Sequence, residues 1–344
     1  MNALEQSLAA CLRQQPQDAA LLDAAAETLL TGDVVAPLLA AWLTAMQVRG
    51  PDPATLLALV RAVQARGATL PQPKGTVLVD GCGTGGDGHG TLNISTMTAL
   101  VVAAAGTPVV KHGNQAQSSR CGSADLLAGL GIDIHLDAQA AAQQLAALGI
   151  TFCLAPLYHP ELSVVAPVRR LLPGPTLFNL VGPLVNPAPV THQLVGVYDA
   201  RWLMPVAEAL RALGRTRAWV VHGADGHDEL TPWGESQVVE CDTAGCRRLT
   251  LQPEDFGLAP CEPQALAGGD VAYNVAAAEH LLRGGMTPAA AAVWMNAAAL
   301  LSLSGRAPDL RTGVAQAQAV LREGRVFQLL DAWRQWQAPT ATHT

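Results

Sequence analysis

The sequence predicts an α/β protein in which a small N-terminal helical domain, residues 1–72, precedes a larger α/β domain, residues 73–344, with a mainly parallel central sheet. Three observations lead to this. Apolar stripes at helical spacing fill the chain up to about residue 70. After Pro71, Gln72 and Pro73, short β-branched segments alternate with helix-like stretches. The residues with distinctive chemistry follow those segments directly, where open α/β sheets hold their ligands. The length of 344 residues agrees, since it is roughly two domains at about 150 residues each.

In chain order, Asp33 is placed to cap a helix that carries Leu38, Leu39, Trp42, Leu43 and Met46 on one face and stops at Gly50. Asp52 and Pro53 open another, with Leu56, Leu57, Val60 and Val63 as its stripe. Such a block suits packing or dimerisation. Strands are expected at 77–80, 109–112, 150–154, 194–198 and 218–222. Between them Ser95 and Asp137 should cap helices that end near Gly106 and Gly149, and Ser123 should open a short helix ending at Gly131. From Asn274 onward the pattern is helical again, the Ala-rich tracts included.

Composition narrows the function classes. Half the residues are apolar and 14% are charged, against about 25% in ordinary domains, which excludes disorder as the main state. Twenty-one basic and 28 acidic residues give a net charge of -7, which repels a nucleic-acid backbone. The longest apolar stretch, 99–110, is broken by Gly106, Thr107 and Pro108, short of the ~18 residues of a membrane span. Glu5, with no basic stretch before an apolar core, does not read as a signal peptide, so the expected compartment is the cytoplasm. The seven cysteines form no C-x-x-C pair and read as free thiols.

Four segments carry chemistry. From Asp80 to Gly88, glycines let backbone N–H groups cradle phosphate oxygens ahead of a helix N-terminus near Ser95. Gly81, Gly83 and Gly86 satisfy G-x-G-x-x-G, but the next strand ends at Lys111 where a dinucleotide site needs an acidic residue. The second segment, Lys111 to Asp125, has Lys111 and Arg120 as its basic residues among hydroxyl and amide donors, the composition of an anion site or of a solvated polar loop. In the third, Asp228 and Glu229 follow a strand, which suits Mg²⁺ bridging substrate phosphates, or an Asp/Gly turn. The fourth runs from His159 through Arg169 and Arg170 to Gly182 and Pro183: a guanidinium fork for a carboxylate beside an edge that packs flat on an aromatic ring, or else a surface arginine pair. Together they describe a site for a Mg²⁺-bound diphosphate next to a second, anionic partner. With no Walker or kinase motif, group transfer with loss of diphosphate is preferred over phosphoryl transfer.

In this order, residues 83–96, 111–130, 155–187 and 222–230 closely resemble anthranilate phosphoribosyltransferase, and the resemblance covers most of the chain. It implies a fold related to the pyrimidine nucleoside phosphorylases, helices near 160–190 joined to the helical domain, a homodimer through that domain, and a Mg²⁺ cofactor. It implies transfer of the phosphoribosyl group of phosphoribosyl pyrophosphate to the amino nitrogen of anthranilate, in tryptophan biosynthesis. Matched by motif, Gly83, Gly86, Asp87, Thr91, Asn93, Ile94, Ser95, Thr96, Lys111, Ser119 and Ser123 would hold the donor. Gly83, His112, Asn114, His159, Arg169, Gly182 and Pro183 would hold the acceptor, and Ser95, Asp228 and Glu229 would organise Mg²⁺. No covalent nucleophile is implied: a neutral arylamine attacks the anomeric carbon as diphosphate leaves, and catalysis is positioning and charge neutralisation.

The chain departs from the family pattern at two places. It reads Asn114, Gln115, Ala116, Gln117, Ser118, Ser119 where the family commonly has Asn-Arg-Ala-Val-Ser-Ser, and Glu161, Leu162, Ser163 where it usually has Ala-Met-Lys. Another aromatic acceptor therefore stays open. So do a nucleoside phosphorylase, which a phosphorolysis assay separates, and a non-enzymatic nucleic-acid-binding relative, which would show lost donor motifs and a basic groove.

Overall fold

The structure is a computed structural model that describes residues 1–50, 52–71, 75–116 and 119–338. The expected domain boundary at 72/73 lies outside the described residues, as do Gln117 and Ser118. Four helices come first: α1 (Ala3–Leu12), α2 (Ala19–Leu30), α3 (Ala36–Arg49) and α4 (Pro53–Gln64). Asp52 caps α4 as expected, its carboxylate accepting from Ala54 N at 3.1 Å, Thr55 N at 3.3 Å and Thr55 Oγ1 at 2.7 Å. Asp33 does not cap α3. That helix starts after Val35 without a side-chain cap, because Pro37 in its first turn presets φ and has no N–H to satisfy.

The sheet has the order β3-β2-β1-β4-β5-β6-β7. Five strands run parallel: β1 (Val79–Gly83), β2 (Val109–Gly113), β3 (Ile150–Leu154), β4 (His192–Gly196) and β5 (Arg217–His222). β1 starts two residues later than the sequence suggests and β4 two earlier, because the ladder sets Val79 opposite both Val109 and His192. Sequence reading missed β6 (Ser236–Asp242) and β7 (Cys246–Leu251), an antiparallel hairpin that extends the edge beyond β5. Its strands are only partly apolar because β7 faces solvent, so no continuous hydrophobic run announces it.

The remaining helices cover the two faces: α5 (Ile94–Ala104), α6 (Ser123–Gly129), α7 (Ala138–Leu148), α8 (Ala155–Tyr158), α9 (Ala166–Arg169), α10 (Leu177–Leu184), α11 (Leu203–Ala212), α12 (Val271–Leu282), α13 (Ala290–Leu303), α14 (Leu310–Arg322) and α15 (Arg325–Gln335). One core joins α5, α13 and the strands through Leu100, Val293, Met295 and Leu300. A second joins the N-terminal helices to α9, α10, α11 and the opposite sheet face through Trp42, Leu59, Val168, Leu180, Trp202 and Val220. α9 thus packs on α3, and α10 on α3 and α4. Asp137 caps α7 through Ala140 N at 2.8 Å, and Gly149 ends it in the left-handed region.

Ser95 is not the cap of α5 but its second residue. Asn93 holds the cap position with no side-chain bond to the helix, since its amide donates to Cys121 O and its oxygen accepts from Asn274 Nδ2. Ser123 is the first residue of α6, which ends at Gly129, before Gly131; the Asp125 carboxylate closes the turn by accepting from Gly122 N and Ala116 N, both at 2.8 Å.

Replacing Asp52 by Ala removes three hydrogen bonds from the start of α4 and should lower stability by about 1 kcal/mol with turnover unchanged, read by denaturant unfolding alongside an activity assay.

Candidate active site

In the order β3-β2-β1-β4-β5 the chain departs in opposite directions on either side of β1 and β4, and the crevice of such a sheet opens beyond the carboxyl ends of those strands. The ladder pairs Gly83 with Gly196 at that edge. Neither position has room for a side chain: a Cβ on Gly83 would lie 2.2 Å from Asp228 Oδ2, and one on Gly196 1.5 Å from Asp228 O. Asp228 therefore reaches the floor of the crevice because two glycines face each other there. Its Oδ2 accepts from Gly85 N at 2.6 Å, which ties the acidic loop to the glycine loop.

The next residue, Glu229, accepts from Ser95 N at 3.3 Å at the start of α5. Directly after it, Asn296 on α13 clamps the backbone of Leu230, accepting from its N–H at 3.2 Å and donating to its carbonyl at 3.0 Å. Buried Lys111, from β2, donates to Gly81 O at 2.9 Å and to Ser95 Oγ at 3.2 Å. These groups line a cavity of about 10 Å³ among Gly81, Cys82, Ser95, Asp228, Glu229 and Asn296, the room of a single water.

Burial, and then the charge of Asp87, push the Asp228 carboxyl up to about 7. Burial, and then Asp228, push Glu229 up to about 8, against the pull of Lys111. A buried carboxylate, Asp228, with half-buried Glu229 next to it and Asp87 close by, is a donor set that fits a divalent cation. Among the described residues no group of three or more His, Cys, Asp and Glu makes a self-sufficient metal site. Mg²⁺ is bound through one or two carboxylates and completes its shell with phosphate oxygens and water, and Asp228 and Glu229 are two such carboxylates next to each other in the chain.

The glycine loop turns through positive φ at Gly85, Gly86, Gly88 and Gly90, open backbone beside the carboxylates. Asp87 accepts from His89 N at 3.2 Å, and Thr91 bridges to Ala267. Ile94 and Thr96 turn their side chains inward; Ile94 belongs to the core and its N–H donates to Leu92 O, so neither its side chain nor its amide is free for a ligand. Ser119 is exposed, with Oγ donating to Cys121 O at 3.4 Å. Ser123 donates to Asn114 O at 3.2 Å, and the Asn114 amide oxygen accepts from Gln115 N at 2.8 Å.

The acceptor candidates line the side toward α10. His112 Nδ1 lies 3.1 Å from Gly182 O, so Nδ1 carries the proton and Nε2 keeps a lone pair that is buried and unpartnered. Burial, and then His159, push His112 down to about 3, so it is neutral. The His159 ring meets it edge-on at 5.3 Å and bonds Val185 O through Nε2 at 2.7 Å. Glu161, at one of the departures from the family pattern, puts Oε1 3.4 Å from His159 Nδ1. Arg169 donates to Asn179 Oδ1 at 3.2 Å and lies 5.8 Å from the centre of the Phe178 ring; burial alone pushes its guanidinium down.

Sequence reading did not include several residues that hold these in place. Asn179 also donates to Thr84 O at 3.3 Å, so one amide connects Arg169 to the glycine loop. Gln193 on β4 donates to Pro183 O at 2.6 Å and accepts from buried Arg215 at 3.0 Å, which pins the end of α10 to the sheet. Asn186 bonds buried Asp80 at 2.9 Å. A lone Gln inside the apolar segment of β4 was the available signal for one of them.

Residues 75–327 match the glycosyl transferase family, a/b domain. The chain is 43% identical over 305 residues to an anthranilate phosphoribosyltransferase of Azorhizobium caulinodans, covering 89% of this chain and 88% of that protein. It is 40% identical over 329 residues to that of Rubrobacter xylanophilus, covering 95% and 96%. Among solved structures, the anthranilate phosphoribosyltransferase of Thermus thermophilus superposes with a TM-score of 0.89 at 39% identity, over 97% of this chain and 98% of that one. The Saccharomyces cerevisiae enzyme in complex with PRPP and Mg gives 0.87 at 25% identity, over 96% of each chain.

A methyl group at position 83 is enough to test the floor of the crevice. Gly83→Ala places a Cβ 2.2 Å from the Asp228 carboxylate and must displace it; turnover should fall about 100-fold or more, on the scale of a lost electrostatic stabiliser, with little change in the circular dichroism spectrum.

Proposed function

Because the chain belongs to the anthranilate phosphoribosyltransferases of the glycosyl transferase family, we propose that it transfers the phosphoribosyl group of phosphoribosyl pyrophosphate to the amino nitrogen of anthranilate, releasing diphosphate, in tryptophan biosynthesis. The observation that carries this reading is the pair Asp228 and Glu229, seated under a glycine loop that Asn179 connects to Arg169. One side suits a metal-bound diphosphate and the other a carboxylated ring, within reach of one crevice.

In this reading the backbone of 83–91 and the hydroxyls of Ser119 and Ser123 hold the donor, with Asn93 and Asn114 shaping the loops that carry them. Lys111 contributes buried positive charge and keeps Gly81 and Ser95 in register. Asp228 and Glu229, with Ser95 beside them, would hold Mg²⁺, which would supply positive charge to offset that of the leaving diphosphate. Arg169 swings its fork from Asn179 to the acceptor carboxylate, and Gly182 and Pro183 present a flat wall. His112 accepts a hydrogen bond from the arylamine through Nε2, which orients the nitrogen lone pair at the anomeric carbon. The new C–N bond forms as the C–O bond to diphosphate breaks, and the arylamine proton is then lost.

The same reading has the chain work as a homodimer in the cytoplasm. Leu12, Val35, Val48 and Leu171, exposed on the helical unit, support pairing there, and no helix among the described residues is long and apolar enough to cross a membrane. An acceptor panel with PRPP and Mg²⁺ tests the reaction: anthranilate should be consumed with release of diphosphate. Turnover with another aromatic acceptor alone, or phosphorolysis of a nucleoside, would replace the proposal.

Two further outcomes check its parts. Since Asp228 and Glu229 titrate at about 7 and about 8 in the folded chain, against about 4 when unfolded, the native state binds more protons between these values and stability falls as pH rises through that window. Mg²⁺ favours the ionised forms, so it should raise Tm more at about pH 8.5 than at about pH 5.5. Asp228→Asn with Glu229→Gln should abolish that difference and cut turnover about 100-fold or more.

Arg169→Ala should raise the KM for anthranilate about 10-fold or more, the worth of a charge-assisted hydrogen bond, with donor KM little changed. Equal preference of wild type and variant for anthranilate over aniline would show that Arg169 does not read the carboxylate.

A further inference from the structure

The hairpin at the sheet edge brings two cysteines together, away from the crevice. β6 and β7 pair Cys241 with Cys246 in register. Asp242 N donates to Gly245 O at 3.0 Å, which makes 242 and 245 the hydrogen-bonded pair; by alternation 241 and 246 are a non-hydrogen-bonded pair, whose Cα atoms lie about 4.5 Å apart with side chains at their closest. A disulfide requires Cα atoms about 4.4 to 6.8 Å apart and Cβ vectors that converge, and directly opposed residues on one face of an antiparallel pair meet both conditions. Both residues are free thiols; Cys241 is fully buried and Cys246 is half-buried, open enough for a small reagent.

We propose that Cys241 and Cys246 form a modification site, a dithiol that closes to a cross-strand disulfide by exchange with a low-molecular-weight disulfide of the glutathione type. The accessible Cys246 thiolate attacks one sulfur of glutathione disulfide, forming a mixed disulfide and releasing one glutathione thiolate. The Cys241 thiolate then attacks the Cys246 sulfur, the mixed bond breaks, and the second glutathione leaves. Two protein thiols are oxidised by two electrons, two glutathione thiols are made, and the two cysteine protons pass to them.

The charged and titratable groups facing the pair are Glu208 and Arg211 from α11 and Asp242 from the turn. Burial is the largest influence on both thiols and pushes both up, Cys241 to about 12, so the exchange runs faster as pH rises.

The test uses the whole active enzyme, incubated with glutathione disulfide at about pH 8.5, alkylated, and digested with trypsin. Cleavage after Arg217 and Arg247 yields one peptide, 218–247, that carries these two cysteines and no other. From enzyme that keeps its transferase activity, this peptide should be unalkylated and lighter than its reduced form by two hydrogens, and reductant should restore both thiols. Cys241→Ser should halt at a stable glutathione adduct on Cys246, while Cys246→Ser should leave Cys241 free. A wild-type peptide that retains a glutathione adduct on Cys246, one with both thiols free, or a bond that closes only after unfolding in urea overturns the proposal.

Discussion

The crevice depends on one close approach: Asp228 lies against Gly83 and Gly196, the register partners that end β1 and β4. Any side chain at either glycine would collide with it, so the strand ends can meet the acidic loop only where both lack a Cβ. The approach serves packing and chemistry together. It carries a carboxylate to the point where the order of strand addition reverses, and it lets the Gly85 amide bond that carboxylate. Asn296 fixes the following backbone from below, so the pair Asp228 and Glu229 is held between two strands and a buried helix and does not ride on a free loop.

Holding one acidic group out of water and a second partly out of it, as at Asp228 and Glu229, is costly unless something offsets their charge. Buried Lys111 is directed at Gly81 O and Ser95 Oγ, and its charge moderates Glu229 without reversing the shift. The upward shift of both carboxyls expresses the remaining imbalance, and a divalent cation with a bound diphosphate is a chemically natural way to relieve it. On the other side of the crevice several polar groups are held within the protein: Arg169 by Asn179, His159 Nε2 by Val185 O, and His112 Nδ1 by Gly182 O, while His159 Nδ1 and the Glu161 carboxylate face each other without a hydrogen bond among the described residues. Among the described residues His112 Nε2 also has no partner, and a buried unsatisfied acceptor of this kind is a place for a ligand.

The acceptor side is organised from a distance. Gln193, supported by Arg215, pins the end of α10 to β4, while α9 and α10 pack on the N-terminal helices. Arg169, Gly182 and Pro183 therefore sit on elements that share one core with the N-terminal helices and the sheet. The Asn179 amide joins this side to the glycine loop. A shift of α10 would thus be felt in both halves of the crevice.

Local chemistry made much of this legible in the sequence. The alternation of strands and helices, the Asp52 and Asp137 caps, the glycine loop and the Asp228/Glu229 pair each rest on neighbours in the chain, and short-range sterics and hydrogen bonding decide them. The resemblance of four motifs, in order, supplied the family. What the sequence alone determined was which segments fold into elements and which residue types cluster after the strands. Tertiary structure decided the rest. Strand register moved the ends of β1 and β4, the loop contacts of Asn93 moved the cap of α5, and the partly exposed β6 and β7 lacked a continuous apolar signal. The holding residues Asn179, Gln193, Arg215 and Asn296 are far in sequence from much of what they hold, and no local pattern records that pairing. Only the meeting of Gly83, Gly196 and Asp228 shows why those glycines stand there, because the atoms that forbid a side chain come from another part of the chain.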